Sequence, residues 1–308
     1  MDSGTHGGGE PTGTTTGPSA AGPDTTGEDR FITLNGLRAH YVEWGEPGRP
    51  PIVMLHGLRS YARTFEPLAE RLADRYHVLA VDARGRGDSD WDPQGEYYTS
   101  AYVADLEQFA DRLGLDRFIL LGHSMGGTTA YVYTARHPER VTALIVEDIG
   151  PGSSISGEGA ERIKREVGNT PTEFPTFEAA RAYWRTLRPG ISEAALASRL
   201  THTLRPGTCG RWLWKFDMGG IAKARLNPDP ARQVDLWPHV DGLRCPTLVV
   251  RGGASDFLPA ATAEVMAARN PRVRAVEIPG AGHYVHDDAP DAFHHQIAQF
   301  LTNPEVNP

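Results

Sequence analysis

The stretch "FILLGHSMGGTTAYVYTARHPERV", residues 118–141, decides how this chain is read. Phe118 to Leu121 form an unbroken apolar run, the pattern of a strand buried on both faces. A helical pattern begins at Met125 and stops before Pro138. Between them stands Gly-His-Ser-Met-Gly. A serine on a sharp strand-to-helix turn presents its Oγ at the carboxyl end of a sheet, where open α/β sheets bind ligands. The following helix points its N-terminus at the same place, which favours developing negative charge. Such a turn leaves no room for side chains two residues before and after the serine, and Gly122 and Gly126 stand there.

Working outward, the same alternation recurs. "PPIVMLHG" (50–57) and "HVLAVDARGRGDSD" (77–90) each read as a short apolar strand running into a loop. "SAYVADLEQFADRLGL" (100–115) is an amphipathic helix with Ser100 as N-cap and Gly114 as stop. "VTALIVEDIG" (141–150) is another apolar strand. Late in the chain, "PTLVVRGG" (246–253) and "RAVEIPG" (274–280) are strands, each followed by a helix. Strand–helix alternation with apolar strands specifies an α/β class with a mostly parallel, doubly wound sheet. Ahead of it, Asn35-Gly36 marks a type I′ hairpin.

Residues 151–240 interrupt the rhythm. They hold no convincing strand, and 158–167, 177–187, 192–204 and 211–225 read as helices. The expected organisation is a disordered tail at 1–28, an α/β core at 29–150 and 241–303, and a helical cap at 151–240 inserted after the strand that follows the serine's helix. Trp212 and Phe216, four apart, would share a helix face. With Trp214 they are candidates for an apolar pocket wall, or else for the cap's own small core.

The bulk properties narrow the partners. Net charge is -8 without a basic run, which argues against nucleic acid or an anionic membrane surface. The start of the chain lacks an apolar signal region, and no apolar run of about 18 residues occurs, so a cytoplasmic location is expected. Cys209 and Cys245 have no metal-type spacing and read as free buried thiols. No metal or organic cofactor is implied, since there is no HExxH and no GxGxxG after a strand. The expected partner is a small carbonyl compound, apolar or of mixed polarity, met by a monomer or homodimer.

A serine needs a base, and the base needs an orienting carboxylate. His283, in the Gly-rich loop "IPGAGHYVHDDAP" (278–290), is the candidate base, with His286 its competitor. Asp256, in "VVRGGASDFLP" (249–259), is favoured as the carboxylate. Asp148, at the end of "IVEDIG", is the runner-up, with a backbone-bonding hinge role as its other reading.

The order Ser124, Asp256, His283 resembles that of the α/β-hydrolase fold superfamily, over residues 30–302. "MLHGL" (54–58) resembles the family's oxyanion turn. By that resemblance the N–H groups of Leu58 and Met125 form the oxyanion hole, His56 buttresses the turn, and Asp82 and Asp88 are structural. Members that open epoxides or remove halide place aspartate where this chain has Ser124. Carbon–carbon hydrolases usually follow the histidine with tryptophan, and here Tyr284 follows. The resemblance therefore implies a capped serine hydrolase acting on a carboxylic ester, thioester or lactone. Its alternatives are biosynthetic acyl transfer or cyclisation, C–C bond hydrolysis, and a noncatalytic small-molecule receptor. Arg59, beside the oxyanion turn, is a candidate contact for a substrate carboxylate, or else an ordinary ion-pair partner.

Overall fold

Two tight backbone features frame the chain's first sheet edge. Asn35 and Gly36 both take positive φ, 49° and 84°, the left-handed pair a type I′ hairpin needs. They join strand β1 (Glu28–Leu34) to β2 (Leu37–Trp44). The computed structural model describes residue 1, residues 26–153 and 155–303, and residue 306. The expected disordered tail falls almost wholly outside those residues, and Glu28, assigned to it, instead opens β1.

The first half continues with β3 (Pro51–Leu55), α1 (Glu66–Leu72), β4 (His77–Val81), α2 (Thr99–Arg112), β5 (Phe118–His123), α3 (Met125–Arg136) and β6 (Val141–Glu147). An insertion follows: α4 (Glu158–Gly168), β7 (Glu173–Phe174), α5 (Phe177–Leu187), α6 (Glu193–Thr203), β8 (Leu204–Pro206), β9 (Trp212–Trp214), α7 (Met218–Leu226) and α8 (Trp237–Asp241). The chain returns with β10 (Thr247–Gly252), α9 (Ala260–Arg269), β11 (Val273–Ile278), α10 (Val285–Asp288) and α11 (Pro290–Leu301).

The large sheet has the order β1-β2-β4-β3-β5-β6-β10-β11. β2 pairs antiparallel with β1 and β4, and every other pairing is parallel. Alternation within the apolar strands builds two cores. Ile119, Leu121, Ile145 and Val250 cluster with Leu68 and Leu72 of α1 and Phe293 and Ile297 of α11. Leu120, Leu144, Val146 and Val249 cluster with Val103 and Leu106 of α2 and Ala130 and Val132 of α3. Each fully buried Leu, Ile or Val contributes roughly 1.5–3 kcal/mol, so this double core holds the strand ends that carry the candidate site.

The insertion differs from its sequence reading. β7, β9 and β8 form a small antiparallel sheet where no strand was expected. Residues 211–217 are not helical, because Cys209 (φ 54°) and Gly210 (φ 75°) turn the chain back on itself. Pro206 and Gly207, poor helix formers, precede the turn. Helix α7 starts only at Met218, where the Asp217 carboxylate accepts the Gly220 N–H at 3.0 Å. Trp212 and Phe216 therefore share no helix face. Cys209 is exposed rather than buried, and burial pushes the Cys245 thiol up to about 11. Among the described residues, no helix is long and apolar enough to cross a membrane.

Candidate active site

Ser124 sits at φ 53°, ψ -114° between β5 and α3, a region that L-residues occupy only when their surroundings force them to. Those surroundings are visible. A Cβ on Gly122 would lie 2.4 Å from the Gly126 carbonyl oxygen, and one on Gly126 would lie 2.1 Å from that of Leu55. Neither contact can be relieved by a side-chain rotation, since both partners are backbone. Parallel pairing of β5 with β6 holds one side of the turn, where Ser124 N–H donates to the Glu147 carbonyl at 3.1 Å.

Two side chains converge on the turn from two loops at the carboxyl edge of the sheet. His283, between β11 and α10, places Nε2 3.0 Å from Ser124 Oγ. Its Nδ1 lies 2.8 Å from Asp148 Oδ2. For Nε2 to receive a proton from the serine, Nδ1 must carry hydrogen and donate it to the carboxylate. Asp148 follows β6 directly, is fully buried, and turns at φ 51°. Its Oδ1 accepts the Gly252 N–H at 3.0 Å, and its Oδ2 accepts the Ser255 hydroxyl.

The carboxylate that meets His283 is Asp148 and not the expected Asp256. Asp256 faces away, where Arg162 of α4 donates to both its oxygens at 2.7 and 2.9 Å. That hydrogen-bonded guanidinium holds its carboxyl below the usual range. A bidentate arginine satisfies a carboxylate's in-plane lone pairs, so Asp256 fastens the insertion to the β10 loop instead of orienting the imidazole.

Two further buried histidines, His123 and His286, support the site. His123, the last residue of β5, is fully buried, and its Nε2 donates to the His283 carbonyl at 2.9 Å. Burial, with His283 and His286 nearby, holds it well below its ordinary range, so it is neutral and pins the His283 backbone. His286, the competitor for the base, is buried and engages Glu147. Glu147 accepts from both the His286 backbone N–H (3.0 Å) and its Nδ1 (2.7 Å), and Thr64 Oγ1 lies 2.9 Å from its Nε2. His123, Glu147 and His286 bring ligand-type atoms within 4.8 Å of one another, but hydrogen bonds already occupy both ring nitrogens of His286.

Burial lowers the His286 pKa and the neighbouring Glu147 and Asp287 raise it, with a net rise above 6.5. A raised folded-state pKa contributes stability that is fully present below about pH 6.5 and is lost as the pH rises through the raised value. Removing one partner of a buried pair costs about 3–5 kcal/mol. Glu147→Ala is expected to lose that amount at pH 6 in urea unfolding, and the gap from wild type should narrow toward pH 9. A gap that is flat or widens over that range refutes the pair's contribution.

A cavity of about 150 Å³ opens on Ser124 and His283 and is lined by both core and insertion. Leu58 and Met125 stand in its wall. As the first residue of α3, Met125 has an N–H without an intrahelical acceptor. The preceding turn is held by His56, whose Nδ1 donates to the Gly57 carbonyl at 2.7 Å while Nε2 accepts the Ala83 N–H at 3.1 Å. Burial pushes His56 down to about 4, consistent with this neutral tautomer. Asp82 is consumed likewise, accepting the Ala62 and Asp88 N–H groups.

The expected pocket aromatics are elsewhere. Trp212, Trp214 and Phe216 do not line this cavity. Trp214 stacks on Phe216 at 4.4 Å and Trp212 meets Phe177 at 4.8 Å, inside a cluster formed mainly by the insertion. Arg59 does line the cavity, but donates to Glu166 (3.2 Å) and the Tyr183 hydroxyl (3.3 Å). Phe257, from the β10 loop, packs its ring 4.2 Å from that of His283.

Comparison with known proteins gives a consistent result. A family model described as the alpha/beta hydrolase fold matches residues 50–290. The 3-hydroxybutyrate-oligomer hydrolase of Cupriavidus necator is 33% identical over 265 residues, covering 82% of this chain and 89% of that protein. A solved alpha/beta hydrolase from Novosphingobium aromaticivorans is 36% identical with a TM-score of 0.76, covering 89% and 98% of the two chains. The crystal structure of E-2-(acetamidomethylene)succinate hydrolase superposes with a TM-score of 0.81 at 26% identity, covering 90% of this chain and all of that one.

Proposed function

Because the chain belongs to the alpha/beta hydrolase fold family, we propose that it cleaves a small carboxylic ester, thioester or lactone through Ser124, His283 and Asp148. The observation that carries this reading is the unbroken hydrogen-bond chain from Ser124 Oγ through His283 to Asp148. Ser124 Oγ attacks the substrate carbonyl carbon while its proton passes to His283 Nε2. The resulting imidazolium is stabilised by Asp148 through Nδ1–H. The tetrahedral oxyanion is received by the N–H groups of Leu58 and Met125. As that intermediate collapses, the bond to the leaving oxygen or sulfur breaks and the leaving group takes the proton from Nε2. Water then gives its proton to the same nitrogen and attacks the acyl carbon, returning the serine and the free acid.

The insertion acts as a cap over this chemistry. A cavity of about 150 Å³ is well below the several hundred Å³ of drug-sized ligand sites, which favours a short acyl or ring substrate.

The deciding experiment is intact-protein mass after exposure to a fluorophosphonate. One phosphonyl adduct on wild type, absent from Ser124→Ala, is the expected result. A folded wild-type protein that takes no adduct would overturn the reading.

A further inference from the structure

The cavity beside Ser124 is lined by four basic side chains, Arg59, Lys164, Arg225 and Arg232, and, among the described residues, by no acidic one. In a chain of net charge -8, that is a local inversion of sign. Three of the four are already paired. Arg59 binds Glu166, Lys164 binds Glu161 at 2.7 Å, and Arg232 holds Glu96 with two hydrogen bonds. Arg225, on α7, has no side-chain hydrogen bond or ion pair among the described residues.

Arg225 is half-buried on the cavity wall, and its neighbours supply no counter-charge. Arg225 is drawn below the ordinary arginine range by burial, with Arg86 pushing the same way and only Tyr102 opposing. Arg86, fully buried, bonds carbonyl oxygens of Leu58 and Arg84 and the Tyr102 hydroxyl, again with no carboxylate. A partly desolvated guanidinium beside a second guanidinium is unfavourable unless an anion completes it. The planar fork of arginine matches a carboxylate bidentately, and one uncompensated cation on the wall matches one negative charge.

We infer that Arg225 binds a free carboxylate of the substrate, so that the enzyme acts on hemiesters, thioesters or lactones bearing a second, ionised acid group. This rests on the serine-hydrolase reading above and deepens it. It moves the expected carboxylate contact from Arg59, already engaged with Glu166 and Tyr183, to Arg225.

The test compares monoethyl succinate, glutarate and adipate with neutral ethyl esters of matching chain length, followed by acid release in a pH-stat. Wild type is expected to favour its best hemiester over the neutral match at least tenfold in kcat/KM. In Arg225→Met this ratio should fall toward one, mainly through KM, and Arg225→Lys should keep part of it. A wild-type ratio near one, or a ratio unmoved by Arg225→Met, overturns the proposal while leaving the hydrolase reading intact. A second arm needs no turnover: glutarate and adipate binding to Ser124→Ala, measured by calorimetry, should weaken at least tenfold when Arg225→Met is added. If wild type hydrolyses no ester and takes no phosphonate, the hydrolase reading fails alone, and the calorimetry still decides whether Arg225 holds a carboxylate. Equal binding with and without Arg225 refutes it there.

Discussion

Asp148→Asn is expected to lower kcat by about 10⁴-fold, with the fold retained. The surroundings of the carboxylate dictate the size of this effect. Oδ1 of Asp148 accepts the Gly252 N–H, so an asparagine keeps its carbonyl oxygen on that side and turns its amide NH₂ toward His283. Nδ1 must then accept a hydrogen bond, the imidazole proton moves to Nε2, and the nitrogen facing Ser124 Oγ can no longer act as a base. The companion variant Asp256→Asn removes one end of the pair with Arg162 and touches neither ring nitrogen of His283, so it should cost less than about tenfold. Steady-state kinetics on one ester decide between them. If Asp256→Asn shows the large loss and Asp148→Asn the small one, the assignment is reversed.

A second large effect is expected at the nucleophile. Ser124→Ala should lower kcat by about 10⁶-fold, the loss typical when a serine of such a relay is removed. The folded state should survive, since among the described residues the Ser124 hydroxyl's one side-chain partner is His283 and the backbone turn is held by neighbours that the substitution leaves in place. Single-turnover rates and circular dichroism on the same preparation separate lost chemistry from lost structure. A variant that keeps more than a hundredth of the wild-type rate would exclude Ser124 as the attacking group.

The turn around Ser124 is legible in sequence because its demand is local. Glycine two residues either side is a steric necessity, and the apolar strand before it has few other readings. His283 is legible because a Gly-rich loop after the last strand can lead only to the sheet's carboxyl edge. The carboxylate is not. Asp148 and Asp256 both follow strands that end at that edge, and the choice between them is made by Arg162, 94 residues away from Asp256 along the chain. One cue was present. Glu147 and Asp148 are adjacent at the end of a buried strand, and two histidines, His283 and His286, lie three residues apart opposite them. Adjacent buried carboxylates require two partners. The small sheet of the insertion eluded the pattern because its strands are two or three residues long, shorter than any period can declare. Nor does the presence of tryptophans say whether they face a ligand or one another.

The groups proposed to make and break bonds all belong to loops of the large sheet, whereas three of the four cations on the cavity wall, Lys164, Arg225 and Arg232, belong to the insertion. On the proposed reading, the chemistry lies in the two segments that flank the insertion and the selectivity in the one contiguous insertion between them. In a lineage, such a division lets the inserted piece diverge, and the diet of the enzyme with it, while the reactive constellation stays untouched. A graft of a foreign insertion would have to honour the polar seams between the two, among them Arg162 with Asp256, Arg59 with Glu166, Arg232 with Glu96, and Arg188 and Arg199 with Asp287.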